Sequence, residues 1–263
     1  MKQEIHTFVV LAYKKSDLLE ECIKSVIHQS LKTNVIIATS TPNEYIKTLA
    51  NKYDLEIIVN DNPMHIGGDF DFAINCVKSK LITIAHQDDI YDYNYALNIV
   101  DQYNRHKDSI IIFSDYYEIR GNKKVYRNKN LTIKRILLFP LRIKAISKLR
   151  FVKRLILSFG CPICCPAVTF VKANVPKVIF SSNFKCNVDW NGWEKLSNIK
   201  GKFVFIPKKL MGHRIHNDST TTAIINDNIR TKEDLEMLRK FWPITIAKFI
   251  NKFYVKAEKS NNI

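Results

Sequence analysis

Two periods of apolar residues alternate along this chain. Thr7 to Ala12 is an almost unbroken apolar run, the pattern of a strand buried on both faces. Leu18, Leu19, Cys22, Ile23, Val26 and Ile27 then recur at helical spacing, with Ser16-Asp17 ahead of them as N-cap. The change of period repeats. Val35 to Ala38 predicts a second strand, Glu44 to Lys52 a helix, and Leu55 to Val59 a third strand. Gly67-Gly68 is expected to open a helix carrying Phe72, Ala73, Cys76 and Val77. Leu81 to Ala85 predicts a strand ending at His86, and Ser109 to Ser114 another ending at Asp115. Strands that alternate with helices imply an α/β fold, with a mostly parallel central sheet flanked by helices.

The pattern changes after Glu118. No acidic residue occurs until Asp189, whereas Lys134, Arg135, Arg142, Lys144, Lys148, Arg150, Lys153 and Arg154 all fall in between. Beyond Pro140, which should break the segment, Leu141, Ala145, Leu149, Val152, Ile156 and Phe159 repeat at spacings of four and three. This predicts a basic amphipathic helix. It suits either an anionic membrane surface or packing on the domain with its basic face in water. Val168 to Val171 and Phe203 to Ile206 predict further strands. Thr231 is expected to start a helix, with Asp234 as a capping-box variant, and Pro243 to interrupt it. Lys248, Lys252 and Lys256 recur every four residues in what reads as a second basic helix.

The formal net charge of +16 over 263 residues calls for an anionic partner. No stretch is long and apolar enough for a membrane span. The run from Phe8 to Tyr13 is too short for a secretory signal and is followed by Lys14 and Lys15, so a cytoplasmic protein with reduced thiols is expected. Cys161, Cys164, Cys165 and Cys186 could nominally ligate zinc, but a second C-x-x-C pair is missing. Small buried residues in a loop are the better reading.

The densest chemistry is His86-Gln87-Asp88-Asp89, at the expected C-terminal end of a buried strand. Two adjacent carboxylates there are costly unless a cation neutralises them, and the open end of an α/β sheet is where ligands bind. A hard divalent cation carrying a phosphorylated ligand satisfies both conditions.

The order of these features resembles the bacterial family 2 glycosyltransferases, which have the GT-A fold. The resemblance covers roughly Thr7 to Thr222. It rests on the first strand to Tyr13, the helix from Leu18 to Ser30, Gln87-Asp88-Asp89-Ile90-Tyr91, Asp189-Trp190 with Trp193, and Arg214-Ile215-His216-Asn217-Asp218-Ser219. It implies an inverting, metal-dependent hexosyltransferase-type enzyme acting in surface polysaccharide synthesis. The donor would be a nucleotide sugar, UDP-sugars first and dTDP-sugars second, and the cofactor Mn²⁺ or Mg²⁺. Asp189 would be the general base. Asp88 and Asp89 would meet ribose and metal, with His216 as a further metal ligand and Arg214 closing over the diphosphate. Ala12, Tyr13, Thr39, Ser40, Asp61, Gly67 and His86 fall at the nucleotide-sugar side, and Trp190 at the acceptor. Trp193 reads as core.

Two departures stand out. His86 occupies a position usually acidic, and Ala38-Thr39-Ser40-Thr41 lacks the Asp expected after the second strand, for which Asp61 is the candidate substitute. The resulting layout is a GT-A domain over residues 1–230 and a helical tail over 231–263. Within that domain, 1–118 would be the nucleotide-sugar half, 119–160 the basic insertion and 161–230 the acceptor half. The acceptor is expected to be a saccharide or lipid-linked saccharide, reached at the inner face of the cell membrane. The alternatives are a non-catalytic GT-A binding or scaffold protein and a nucleic-acid binder. No helix-turn-helix, RNA-recognition or zinc-finger pattern supports the latter, so no nucleic-acid partner is expected.

Overall fold

The computed structural model describes residues 5–63, 65–215 and 229–259. Strands β1 (His6–Ala12), β2 (Asn34–Thr39), β3 (Glu56–Val59) and β4 (Leu81–His86) are parallel in the order β3-β2-β1-β4. They are linked by α1 (Leu19–Ile27), α2 (Glu44–Lys52) and α3 (His65–Asn75). Leu11 faces both Ala38 and His86 in register, so β1, β2 and β4 end on one edge. β4 is buried on both faces up to Ala85, as an apolar run of this kind must be.

The rest of the chain is β5 (Ile90–Tyr91), α4 (Tyr95–Arg105), β6 (Ser109–Arg120), β7 (Lys123–Val125), α5 (Lys129–Leu138), α6 (Arg150–Leu157), β8 (Val168–Val171), α7 (Val188–Ser197), β9 (Lys202–Ile215), α8 (Ile229–Arg239) and α9 (Ile244–Lys259). β8 inserts antiparallel between β4 and β6, β6 pairs in parallel with β9, and β5 closes the sheet against β9. The mixed α/β architecture agrees with the sequence reading. Two strands are longer than their apolar cores predicted: β6 continues past Ser114 to Arg120, and β9 past Ile206 to Ile215. They pair with each other along both extensions, through register shifts around Asp115.

Several local expectations are corrected. α1 starts at Leu19 without a side-chain cap; Ser16 contributes its backbone carbonyl to Leu19 N–H instead. Gly67 and Gly68 lie inside α3, and a Cβ on Gly67 would stand 2.6 Å from the Phe180 carbonyl oxygen. That glycine admits a neighbouring backbone rather than a nucleotide. α8 starts ahead of Thr231, and Asp234 accepts from Asn187 rather than capping it.

The continuous basic helix after Pro140 is not found. A 3₁₀ turn over Phe139–Arg142 is followed by an irregular stretch to Leu149, and only Arg150–Leu157 is α-helical. The stretch is pinned to β9: Ser147 O accepts from Phe203 N, and Lys144 Nζ donates to Phe205 O. Leu141, Val152 and Ile156 join the same core cluster as Val9, Ile84 and Trp193. Lys153, expected on a solvated face, is fully buried and donates to the Ile199 and Gly201 carbonyls. Helix α5 escaped prediction altogether. Its sequence signal is Asn128, whose side chain accepts from Leu131 N–H as an N-cap.

Candidate active site

The site forms where β1, β2 and β4 end. Tyr13 N–H donates to Gln87 Oε1 at 2.9 Å, and Gln87 Nε2 donates back to Tyr13 O. Lys14, in the left-handed region at φ 55°, donates its N–H to Thr41 Oγ1. The three strand ends therefore share one rim. Tyr13 is exposed there, whereas Ala12 and Thr39 beneath it are buried.

At this rim the sequence leaves two neutral residues after β2. The carboxylate that reaches Ser40 there is Asp69, on α3. Ser40 Oγ donates to Asp69 Oδ2 at 2.9 Å, and Asn60 Nδ2 donates to Oδ1 at 2.7 Å. Asp61 is exposed and makes no such contact among the described residues.

The motif after β4 is held by β9. Asp89 is fully buried and accepts from His213 Nδ1 at 3.0 Å and from Arg214 N–H at 2.8 Å. Arg214 also donates through Nε to Asp88 O and through Nη2 to Glu21 on α1. Burial lowers the pKa of His86. Burial pulls His213 down too, but the Asp89 carboxylate outweighs it and leaves His213 raised. Arg214 was legible in the sequence; His213 was missed. It stands inside a strand extension whose apolar residues, Leu210 and Met211, could have marked it as inward-leaning. His216 lies outside the described residues.

Donor atoms of His86, Asp88 and Asp89 lie within 4.8 Å of one another, the one such group among the described residues. His86 Nε2 is buried without a hydrogen-bond partner. An orphaned imidazole nitrogen beside two carboxylates fits a divalent cation bound by nitrogen and oxygen. The cysteines form no comparable site. Burial pushes the Cys161, Cys164 and Cys165 thiols well up.

Across the site, Asp189 lies in the first turn of α7. Its Oδ1 accepts from Trp190 N–H at 2.7 Å, and Cys161 Sγ approaches Oδ2 at 3.6 Å. Burial raises its pKa, against the opposing pull of the Trp190 N–H, Lys134 and Arg230. Its charge also acts on His86. α7 is held from both sides. Glu233 on α8 accepts from the Lys185, Cys186 and Asn187 N–H groups, and Asp71 on α3 accepts from those of Ile179, Phe180 and Ser181. Trp190 does not line the cleft: it is fully buried, and its indole N–H donates to Leu157 O. It is core, like Trp193, because both lie on the inward side of α7.

Comparison with known proteins accords with this geometry. Residues 7–170 match the family described as Glycosyl transferase family 2. No curated protein matches the sequence. Among solved structures, Staphylococcus aureus TarS 1–349 in complex with UDP-GlcNAc aligns at TM-score 0.62 and 12% identity, covering 97% of this chain and 73% of that one. The mannosyltransferase PcManGT from Pyrobaculum calidifontis, in complex with GDP-Man and Mn²⁺, aligns at 0.60 and 11%, covering 99% and 76%. Glucosyl-3-phosphoglycerate synthase from Mycobacterium tuberculosis, with Mn²⁺, UDP and phosphoglyceric acid, aligns at 0.56 and 11%, covering 91% and 80%. A mixed sheet whose acidic motif follows β4 defines a GT-A glycosyltransferase fold. The chain belongs to glycosyl transferase family 2.

Proposed function

We infer that this protein transfers a sugar, with inversion, from a nucleotide sugar to a saccharide or lipid-linked saccharide in surface polysaccharide synthesis. One observation carries the reading: the His86, Asp88 and Asp89 group lies within electrostatic reach of a desolvated Asp189. Asp189 accepts the proton of the acceptor hydroxyl as that oxygen bonds to the anomeric carbon. The bond from that carbon to the donor diphosphate breaks, and the diphosphate leaves with its electron pair. A carboxylate whose pKa is raised by burial is better matched to a hydroxyl proton near neutral pH. Mn²⁺ or Mg²⁺, held by His86, Asp88 and Asp89, would supply Lewis-acid neutralisation of the diphosphate. Arg214 orients the motif through Asp88 and Asp89. Tyr13, Ser40 and Asp69 edge the space for the nucleoside. The solved relatives with bound UDP-GlcNAc, GDP-Man and UDP support a nucleotide-sugar donor without fixing its base.

An anionic membrane surface remains the second partner, with a changed docking face. Of the apolar stripe expected to meet lipid, Leu141, Val152 and Ile156 are core, whereas Ala145, Leu149 and Phe159 are exposed. Ile136, Phe139, Ile143, Phe151 and Leu155 join Leu149 and Phe159 on the exposed face, interspersed with exposed Arg142, Lys148 and Arg150. Apolar side chains among Lys and Arg are the composition that binds anionic interfaces. Among the described residues no helix is long and apolar enough to cross a membrane.

The test is a stabilisation and turnover screen of UDP-, dTDP- and GDP-sugars with Mn²⁺. One donor class is expected to raise Tm and to lose its sugar slowly to water, with loss of turnover in Asp189→Asn. Absence of binding by every nucleotide sugar would overturn the assignment.

A further inference from the structure

β9 outruns β6 at one point. Ser114 pairs with Ile206, but the next residue, Asp115, pairs with Lys209, so Pro207 and Lys208 bow out of the ladder. A bulge suits proline, which has no N–H to offer a neighbouring strand. Between this bulge, α5 and the 3₁₀ turn over Phe139–Arg142 lies a cavity of about 740 Å³. Its charges do not balance. Asp115, the one acidic residue of the lining, is buried and already neutralised: Arg135 Nε donates to its Oδ2 at 2.8 Å, and Tyr116 N–H to its Oδ1. Arg135 is committed as well, since its two Nη atoms donate to the Tyr126 and Tyr116 carbonyls. Arg127, Arg142 and Lys209 complete the basic lining. All three are exposed, and none forms an ion pair among the described residues. The rest of the lining is mostly apolar, and Arg142 lies over the Phe139 ring at 5.7 Å, so charge and apolar surface meet in one place. The cavity shares Ile136, Phe139 and Arg142 with the exposed apolar face described above.

We propose that this cavity binds the headgroup phosphate of an anionic phospholipid, with Arg127, Arg142 and Lys209 on the phosphate oxygens and Ile136 and Phe139 against the adjoining apolar part of the lipid. This rests on the membrane reading above and adds a headgroup site to it. Guanidinium forks match phosphate oxygens, and one phosphate offers acceptors to several cations at once. A soluble anion has no use for the apolar wall, whereas an amphiphile fills both halves of the lining. The place of the cavity also orients the protein. Thr83 on β4 and Ile112 on β6 both pair with Thr169 on β8, so His86 and Asp115, each three residues further on, stand at the same edge of the sheet. A lipid held beside Asp115 brings the edge that carries the metal-ligating group to the bilayer surface, where a lipid-linked acceptor stands.

Vesicle sedimentation separates a headgroup site from general surface charge. Phosphatidylglycerol in phosphatidylcholine is compared with cholesteryl hemisuccinate, a carboxylate, in phosphatidylcholine, the two matched in surface potential. Wild type is expected to bind the phosphatidylglycerol vesicles about tenfold more tightly, the worth of one charge-assisted hydrogen bond. Arg142→Gln with Lys209→Gln should erase that preference and bind both vesicles alike. Lys32→Gln with Lys177→Gln should keep it, because Lys32 lies just ahead of β2 and Lys177 beyond the end of antiparallel β8, at the opposite edge of the sheet. All four lysines and arginines are exposed, so both double variants should keep the wild-type Tm. Inorganic phosphate, added at constant ionic strength, tests the soluble source and should not release the wild type. The proposal is overturned if wild type binds the two vesicles equally, if the Arg142 and Lys209 double variant retains the preference, or if inorganic phosphate releases the wild type, which would make the cavity a site for a soluble anion. Failure of the underlying reading has a different signature: binding to no anionic vesicle at all would overturn the membrane surface as a partner together with this site.

Discussion

The two halves of this sheet are built by different rules. In the half made of β1 to β4, each strand is parallel to its neighbour and each connection is a short helix. In the half made of β5 to β9, β8 runs against β4 and β6, and β9 lies between strands that precede it in the chain. The first half presents one rim, fixed by register. The second reaches toward that rim from two directions: Arg214 from β9 and Asp189 from α7. A scaffold with local connections suits the part of a ligand that many reactions share. The long-range half is where one reaction can be made to differ from another.

Substitutions on the two sides should therefore fail differently. Asp89→Ala is the harshest, since it removes a metal-side carboxylate and strands His213 and the Arg214 N–H; transfer should fall below detection, together with Mn²⁺-dependent nucleotide binding in calorimetry. Asp189→Asn should cut transfer by about 10²–10⁴ while leaving nucleotide binding intact. Equal loss of nucleotide binding in both would erase the division.

The same Asp189 variant carries a stability signature. The folded-state pKa of Asp189 lies above its ordinary 3.8. The native state then binds the extra proton, and stability falls as pH rises through the interval between the two values. Asp189→Asn should be more thermostable than wild type at pH 7, and the gain should vanish below the ordinary carboxylate range. For the reaction the sign is opposite: transfer should drop as pH falls through the raised value, on a limb displaced upward from an unperturbed aspartate.

Glu233→Ala sharpens the contrast from a distance. It orphans three N–H groups ahead of α7 and should cost about 2–3 kcal/mol in denaturant unfolding. Acceptor turnover should suffer more than donor binding. The smallest effects belong to the exposed apolar face. Phe151→Ser with Leu155→Ser should weaken binding to anionic vesicles at least tenfold, and Lys148→Gln about fivefold, at roughly 1 kcal/mol per charge. Sedimentation with neutral vesicles is the control, and undiminished binding by the double variant would move the docking face elsewhere.

The same division explains what could be read in advance. Glu44–Lys52 and Val168–Val171 have the predicted bounds, and β4 ends at His86 as expected, because local periodicity decides such elements. Asp88 and Asp89 stood out as charges after an apolar run, and Asp189 and Arg214 through the family resemblance. His213 and Asp69 did not, because each acquires its meaning from a partner remote in sequence: Asp89 and Ser40. The segment after Pro140 misled for the same reason. Its helical spacing was real, but hydrogen bonds to β9 outweighed the local preference between Ile143 and Leu149.

The bond from Arg214 to Glu21 joins residues 193 apart in the chain. On the ribosome, α1 emerges long before β9, and the pairing of β9 with β5 and β6 must wait as well. Because ordering so long an intervening segment is costly and slow, the cleft is expected to mature as one of the last events of folding. A nascent chain halted before β9 would hold its acidic motif without the strand that orients it, and so would be unable to spend donor before synthesis is complete.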